Sequence, residues 1–215
     1  MPLKINEIFY SLQGESSFAG HPCVFIRLAG CNLRCSYCDT SYAYDEGIAL
    51  ETGEIIKQVE RYQCPLVEVT GGEPLIQRET PNLILRLLEK GYQVLLETNG
   101  SQDISPIDPR CVRILDIKGP SSGETEKNDF KNLERLTEKD EIKFIIGDRT
   151  DYEYAKEILI LISLMTSRRN PVHFSPLFGK MPFQTLTEWI LKDHLPVRLH
   201  LQLHKLIWPG ETRGV

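Results

Sequence analysis

Short apolar runs, closed by polar or glycine-containing turns, alternate along this chain with stretches whose apolar residues recur at helical spacing. Residues 23–28, 66–69, 93–97, 112–117, 142–146, 172–175 and 197–203 read as strands, and residues 3–10 as an irregular one. Between them, residues 53–62 place Ile55, Ile56 and Val59 on one helical face, with Thr52 as the expected N-cap. Thr80 and Pro81 form an N-cap and first-turn pair for a helix that gathers Leu83, Ile84, Leu87 and Leu88 on one side; Gly91 stops it. Thr150 or Asp151 is expected to cap a helix running to about Leu164, with Tyr154, Ile158, Leu161 and Ile162 inward. Residues 127–139 are polar and predict a short helix plus a connection, and residues 186–191 a last helix.

Strand and helix in alternation predict an α/β fold with a parallel sheet. The number of units fits a partial, abbreviated β/α barrel, because a full eightfold barrel takes roughly 250 residues and this chain has 215. There is no internal repeat, low-complexity segment or interdomain linker, so residues 1–215 are expected to form a single domain.

Composition narrows the function without naming it. A formal net charge of −5 argues against a general nucleic-acid binder, which needs a basic footprint. The most apolar run, residues 158–165, is far too short to span a membrane. Residues 1–7 hold no apolar core of the kind a signal peptide needs, which points to the cytoplasm. The six cysteines are clustered rather than spread as a disulfide framework, and this fits a reducing compartment and metal binding. Cys23, Cys64 and Cys111 stand apart and read as buried small hydrophobes.

The chemistry centres on the loop after the strand at 23–28. Cys31, Cys35 and Cys38 follow C-x3-C-x2-C spacing with no fourth cysteine near. Closed structural zinc sites take four ligands, so either a distant His such as His21 or His173 completes a zinc knuckle, or an iron–sulfur cluster is left open at one position. The run Thr70-Gly71-Gly72-Glu73-Pro74 follows the next strand of the α/β pattern. Its glycines allow the backbone to approach a ligand closely and present its polar groups.

Three cysteines at this spacing, with an aromatic residue before the last, together with Gly-Gly-Glu-Pro, resemble the radical S-adenosylmethionine (SAM) superfamily. That resemblance implies a [4Fe-4S] cluster on Cys31, Cys35 and Cys38. SAM chelates the open iron and, on reduction, yields a 5′-deoxyadenosyl radical. Ser11 to Glu15, Arg27, Cys38-Asp39-Thr40, Glu97 to Gly100 and Leu203-His204-Lys205 resemble the 7-carboxy-7-deazaguanine synthase family more narrowly, across nearly the whole chain. Members of that family rearrange 6-carboxy-5,6,7,8-tetrahydropterin to 7-carboxy-7-deazaguanine, with loss of ammonia, on the route to queuosine and other deazapurines.

The resemblance implies a role for each matching residue. Leu12, Gln13, Gly14, Glu15, Arg27, Thr70 and His204 are expected at the pterin. Tyr37, Asp39, Gly72, Glu97, Lys118, Ser175 and Pro176 are expected at SAM, within segments that also take in Asp116, Ile117, Leu177 and Phe178. Thr40 is expected to offer an oxygen to Mg2+. Arg27 has a physical rationale of its own, since a guanidinium matches a carboxylate in a planar fork that lysine cannot reproduce. The family also implies a homodimer and an electron donor of flavodoxin or ferredoxin type. His21, His173, His194 and His200 are expected to be structural. Two other readings stay open: an activating enzyme that makes a glycyl radical on a partner protein, and a non-catalytic zinc-binding module.

Overall fold

The computed structural model describes residues 1–165, 170–211 and 213–215. Among these, nine strands form one open sheet in the order β3-β1-β2-β4-β5-β6-β7-β8-β9. They are β1 (Leu3–Leu12), β2 (Pro22–Leu28), β3 (Ile48–Leu50), β4 (Leu66–Gly71), β5 (Gln93–Thr98), β6 (Val112–Ile117), β7 (Glu141–Ile146), β8 (Val172–Pro176) and β9 (Arg198–Leu199). From β2 to β9 every pairing is parallel, whereas β1 runs antiparallel to both β2 and β3. The sheet is a partial barrel, since its edge strands β3 and β9 do not pair with each other.

The helices α1 (Thr52–Glu60), α2 (Thr80–Glu89), α3 (Asn132–Arg135), α4 (Arg149–Met165) and α5 (Phe183–Lys192) follow the predicted segments, and α6 (Leu203–Ile207) closes the series. Two starts fall one residue earlier than expected. Glu51 caps α1, its backbone N–H donating to Glu54 Oε2 at 3.0 Å, and Thr52 is already helical and buried. Glu79 caps α2, while the Thr80 hydroxyl donates to the Pro74 carbonyl at 2.6 Å. In α4, Asp151 does not cap: it is buried, and accepts from the backbone N–H groups of Gly147 and Ser121, each at 2.8 Å. Tyr152, Ala155, Ile158 and Ile162 form the buried face of that helix, with Tyr154 and Leu161 half-buried at its margin. Tyr152 takes the buried position expected of Tyr154, and its hydroxyl donates to the Trp189 carbonyl at 2.8 Å.

The larger difference lies at the C-terminal end. The strand expected over 197–203 is paired only at Arg198 and Leu199, and Leu203 starts a helix. The His200 N–H still reaches the Phe174 carbonyl at 3.0 Å, but the Leu203 N–H turns away to the Gly14 carbonyl at 3.0 Å. That bond takes the chain off the sheet edge and across the barrel mouth. His204 therefore sits on a short helix rather than on a strand.

Two apolar clusters cover the outer face of the sheet. One joins α1 and α2 to β1, β2, β4 and β5; the other joins α4 and α5 to β6, β7 and β8. Cys23, Cys64 and Cys111 are buried, Cys23 and Cys111 completely, as their isolation predicted. Period-2 alternation sends the other set of residues into the barrel. There the sheet carries polar side chains: Arg27, Glu68, Thr70, Glu97, Asp116 and Lys143.

Candidate active site

One cavity at the carboxyl ends of the parallel strands is lined by almost every residue the sequence singled out. Cys31, Cys35 and Cys38 stand on one side with Tyr37, Asp39 and Thr40. Leu12, Gln13, Gly14, Glu15 and Arg27 enter from β1, the loop after it, and β2. Thr70, Gly72, Glu97 and Lys118 come from the ends of β4, β5 and β6, and His204 comes from α6. Ser175 and Pro176 are not brought to this wall. Both are buried in β8, where the Ser175 hydroxyl donates to the His200 carbonyl at 3.0 Å, and Leu177 represents that segment in the cavity.

The cysteine loop is tied down on both flanks. The Ser36 N–H donates to the Ser122 carbonyl at 3.0 Å, the Arg34 N–H to Glu124 Oε1 at 2.6 Å, and Asn99 Nδ2 to Asn32 Oδ1 at 3.2 Å. The thiols are free and partly exposed to the cavity, and burial raises the proton affinity of Cys31 and Cys35.

The Gly-Gly-Glu-Pro turn lies directly against the start of this loop. The Glu73 N–H donates to the Gly30 carbonyl at 2.8 Å, and the Gly72 N–H to the Leu28 carbonyl at 3.2 Å. A Cβ on Gly72 would stand 2.2 Å from Gly30 O, so only glycine fits. Glu73 itself is fully buried. Its carboxylate accepts from the Leu75 N–H (3.0 Å), the Thr98 hydroxyl (2.8 Å) and the Asn99 N–H (2.7 Å), which fixes the end of β5 beside the turn.

These features fit a cluster with a chelating ligand. Among the described residues no three His, Cys, Asp or Glu side chains converge on a single ion position, as a zinc knuckle would need. A [4Fe-4S] cluster asks for something different, because each thiolate binds its own iron. Beside the cysteines, Tyr37 Oη and Asp116 Oδ1 are buried at the cavity wall without a hydrogen-bond partner. Buried polar atoms are rarely left unsatisfied, so both are candidates to meet a polar ligand.

The opposite side of the cavity is a network of charges. Lys143, on β7, donates to Glu15 at 2.7 Å and also to Glu97, and lies 3.7 Å from Asp116. Gln202 Nε2 holds the other Glu15 oxygen at 2.7 Å. Burial alone would push the Glu15 carboxyl up, but the Lys143 ammonium outweighs it and holds this acid well below the usual carboxylate range. Glu68, which accepts from Gln13, is pushed the other way by burial and by Glu97 and Glu15. Burial also lowers His204, leaving a neutral imidazole. Arg27 donates through Nε to Glu7 at 2.7 Å, and its guanidinium lies by the rings of Phe9 and Tyr42. The plane of the fork is thereby set.

Glu68, Lys143 and Gln202 were not singled out from the sequence. For the first two there was a signal. Each is the one charged residue inside a short apolar strand core (Val67-Glu68-Val69, Ile142-Lys143-Phe144), and such a strand is covered on both faces. A charge there has to find a partner inside the barrel.

Comparison with known proteins agrees with the geometry. The radical SAM superfamily matches residues 25–116. The 7-carboxy-7-deazaguanine synthase of Chlorobaculum tepidum is 46% identical over 217 residues, covering 100% of this chain and 98% of that relative. The enzyme of the same name from Koribacter versatilis is 44% identical and covers 99% and 100%. The crystal structure of QueE from Escherichia coli superposes with a TM-score of 0.78 at 25% identity, covering 94% of each chain. Streptococcus suis SuiB shares the fold at a TM-score of 0.54 and 14% identity, over 86% of this chain and 50% of that one.

The fold is that of a radical SAM enzyme, a class built around a [4Fe-4S] cluster and SAM. Within it, the chain belongs to the 7-carboxy-7-deazaguanine synthase family, enzymes of 7-deazapurine biosynthesis.

Proposed function

We propose that this cavity binds 6-carboxy-5,6,7,8-tetrahydropterin and that the enzyme converts it to 7-carboxy-7-deazaguanine with loss of ammonia. The observation that carries the reading is the shared wall: the three cysteines and Arg27, Gln13, Glu15 and His204 line one cavity. Cys31, Cys35 and Cys38 hold the cluster, and Gly72, Tyr37, Asp39, Glu97 and Lys118 hold SAM. When bound, the pair supplies an adenosyl radical able to take a hydrogen atom from the substrate.

The chain's own residues bind and orient that substrate. Arg27, fixed through Nε by Glu7, turns its remaining N–H groups to the pterin carboxylate. Glu15 is ionised and accepts from the pterin's N–H groups, while the backbone from Leu12 to Gly14 meets the rest of the edge. Thr70 contacts the ring from β4. A neutral His204 offers one donor and one acceptor from the mouth.

Thr40 is the residue of choice for Mg2+. Its hydroxyl donates to Asp39 Oδ1 at 3.0 Å, so two oxygens lie together at the cavity edge, and hard cations prefer oxygen. A homodimer, a flavodoxin- or ferredoxin-type electron donor and a cytoplasmic setting complete the proposal. Among the described residues no helix is long and apolar enough to cross a membrane.

The test is an anaerobic assay of the reduced, cluster-loaded protein with SAM, Mg2+ and the carboxytetrahydropterin. Formation of 7-carboxy-7-deazaguanine is expected, with a rate that falls on chelation of Mg2+. SAM cleavage without deazaguanine would overturn the substrate assignment.

A further inference from the structure

Lys143 is 4% exposed, and its ammonium is shared by carboxylates from three separate parts of the fold. Glu15 comes from the loop after β1, Glu97 from the end of β5, and Asp116 from β6, which pairs with β7 at Lys143 itself. An ammonium has three donors and no acceptor, so it serves all three acids or leaves one of them repelling the others. Asp116 has Lys118 as a second cation at 2.8 Å, and Glu15 has Gln202 on its other oxygen. Among the described residues, no other cationic side chain forms an ion pair with Glu97.

In the reading given above, Glu15 faces the pterin and Glu97 faces SAM. On that reading, we infer that Lys143 is a positioning residue that couples the two binding sites, so that either ligand raises the affinity for the other. A ligand that donates to Glu15 fixes the carboxylate and, with it, the ammonium. Glu97 is then already oriented when the second ligand arrives, and the ordering cost is met once instead of twice. Linkage makes the effect reciprocal: the factor by which pterin tightens SAM equals the factor by which SAM tightens pterin.

The inference is tested by calorimetry on the cluster-loaded protein without reductant, so that no turnover occurs, using SAM and 6-carboxy-5,6,7,8-tetrahydropterin. For the wild type, saturating pterin is expected to tighten SAM by about fivefold or more, within the range common for coupled sites. In Lys143→Met the factor should fall to about one, and Lys143→Arg should restore part of it. A purely structural lysine would weaken both ligands and leave the factor intact, which overturns the inference. Independent binding of both ligands to the wild type also overturns it while the proposed function stands. Failure of the wild type to bind the pterin at all sinks the proposed function instead. Should Lys143→Met not retain its cluster, Glu97→Gln cuts the same link with Lys143 still held by Glu15. Loss of coupling there supports the inference, and unchanged coupling refutes it.

Discussion

Gly72 and Cys31 are in closer contact than any side chain at position 72 would allow: a Cβ there would stand 2.7 Å from the Cys31 Cβ. The turn expected to hold SAM and the first expected cluster ligand are thus packed as one unit. Gly72→Ala must push this unit apart, at a cost of about 1–3 kcal/mol for overpacking. The displacement falls on the cysteine loop, so the variant should stay folded by circular dichroism and bind SAM at least tenfold more weakly. SAM affinity equal to wild type would show that the turn and the loop are independent.

Cys35→Ala removes one of the three thiolates that line the cavity. Iron and sulfide content should fall from about four of each per chain to well below one, because an open cluster has no spare protein ligand to lose. SAM cleavage should vanish with it. The same substitution at Cys111, which is fully buried in the core, should leave the iron content unchanged. A Cys35→Ala protein that keeps both cluster and cleavage would remove this residue from the ligand set.

Arg27→Lys tests geometry at constant charge. Arg27 keeps one N–H on Glu7 and has further N–H groups in the same plane, whereas a lysine ammonium bonding Glu7 has no fork left. The loss of a charge-assisted hydrogen bond is worth about 1.5–3 kcal/mol, or roughly tenfold to a hundredfold in pterin affinity. SAM binding should change little. Equal weakening of both ligands would mean that Arg27 supports the fold of the site instead of reading the substrate.

Much of this site was legible because its chemistry is local in sequence. The cysteine spacing, the glycine turn and Arg27 on its strand all lie where a strand ends, and parallel strands deliver such ends to one rim. What stayed hidden is set by pairing across the sheet. Lys143 meets Glu15 and Glu97 from 128 and 46 residues away, and only the strand order brings them together. The antiparallel start at β1 and β3 was hidden for the same reason, since pairing direction leaves no mark on the alternation of apolar residues. His204 was placed on a strand because residues 197–203 alternate well, yet the bond from the Leu203 N–H to the Gly14 carbonyl takes this segment across the mouth. Ser175 and Pro176 show the converse. They lie at a strand end, but the Ser175 hydroxyl is spent on the His200 carbonyl.

Gly14 shows how closely the mouth is closed. A Cβ there would come within 2.2 Å of His204 Nδ1. Gly14→Ala should therefore displace α6 and weaken pterin binding by roughly tenfold, with SAM affinity kept. Truncating the opposing side chain in Gly14→Ala/His204→Ala should relieve the clash and recover thermal stability, though not the substrate contact proposed for His204. If the double variant is no more stable than the single, the contact does not limit this position.

His200 is buried, with neither ring nitrogen hydrogen-bonded, and its ring lies 5.1 Å from that of His173, which is itself bound to Glu141. Burial lowers His200 to about 4 from an ordinary 6.5, with Lys143 and His173 acting in the same direction and Glu15 and Glu141 against it. The folded protein therefore takes up this proton less readily than the unfolded chain. Its contribution is fully present above pH 6.5 and is lost as pH falls toward 4, at about 1.4 kcal/mol per pH unit in that window. Replacing the ring by one that cannot titrate, in His200→Phe, removes this slope. Unfolding in urea at pH 7, 6, 5 and 4.5 should show the gap between wild type and variant shifting in the variant's favour as pH falls. By pH 4.5 the shift should reach about 2–3 kcal/mol. Parallel stability profiles for the two proteins would mean that His200 titrates in the fold as it does in the unfolded chain.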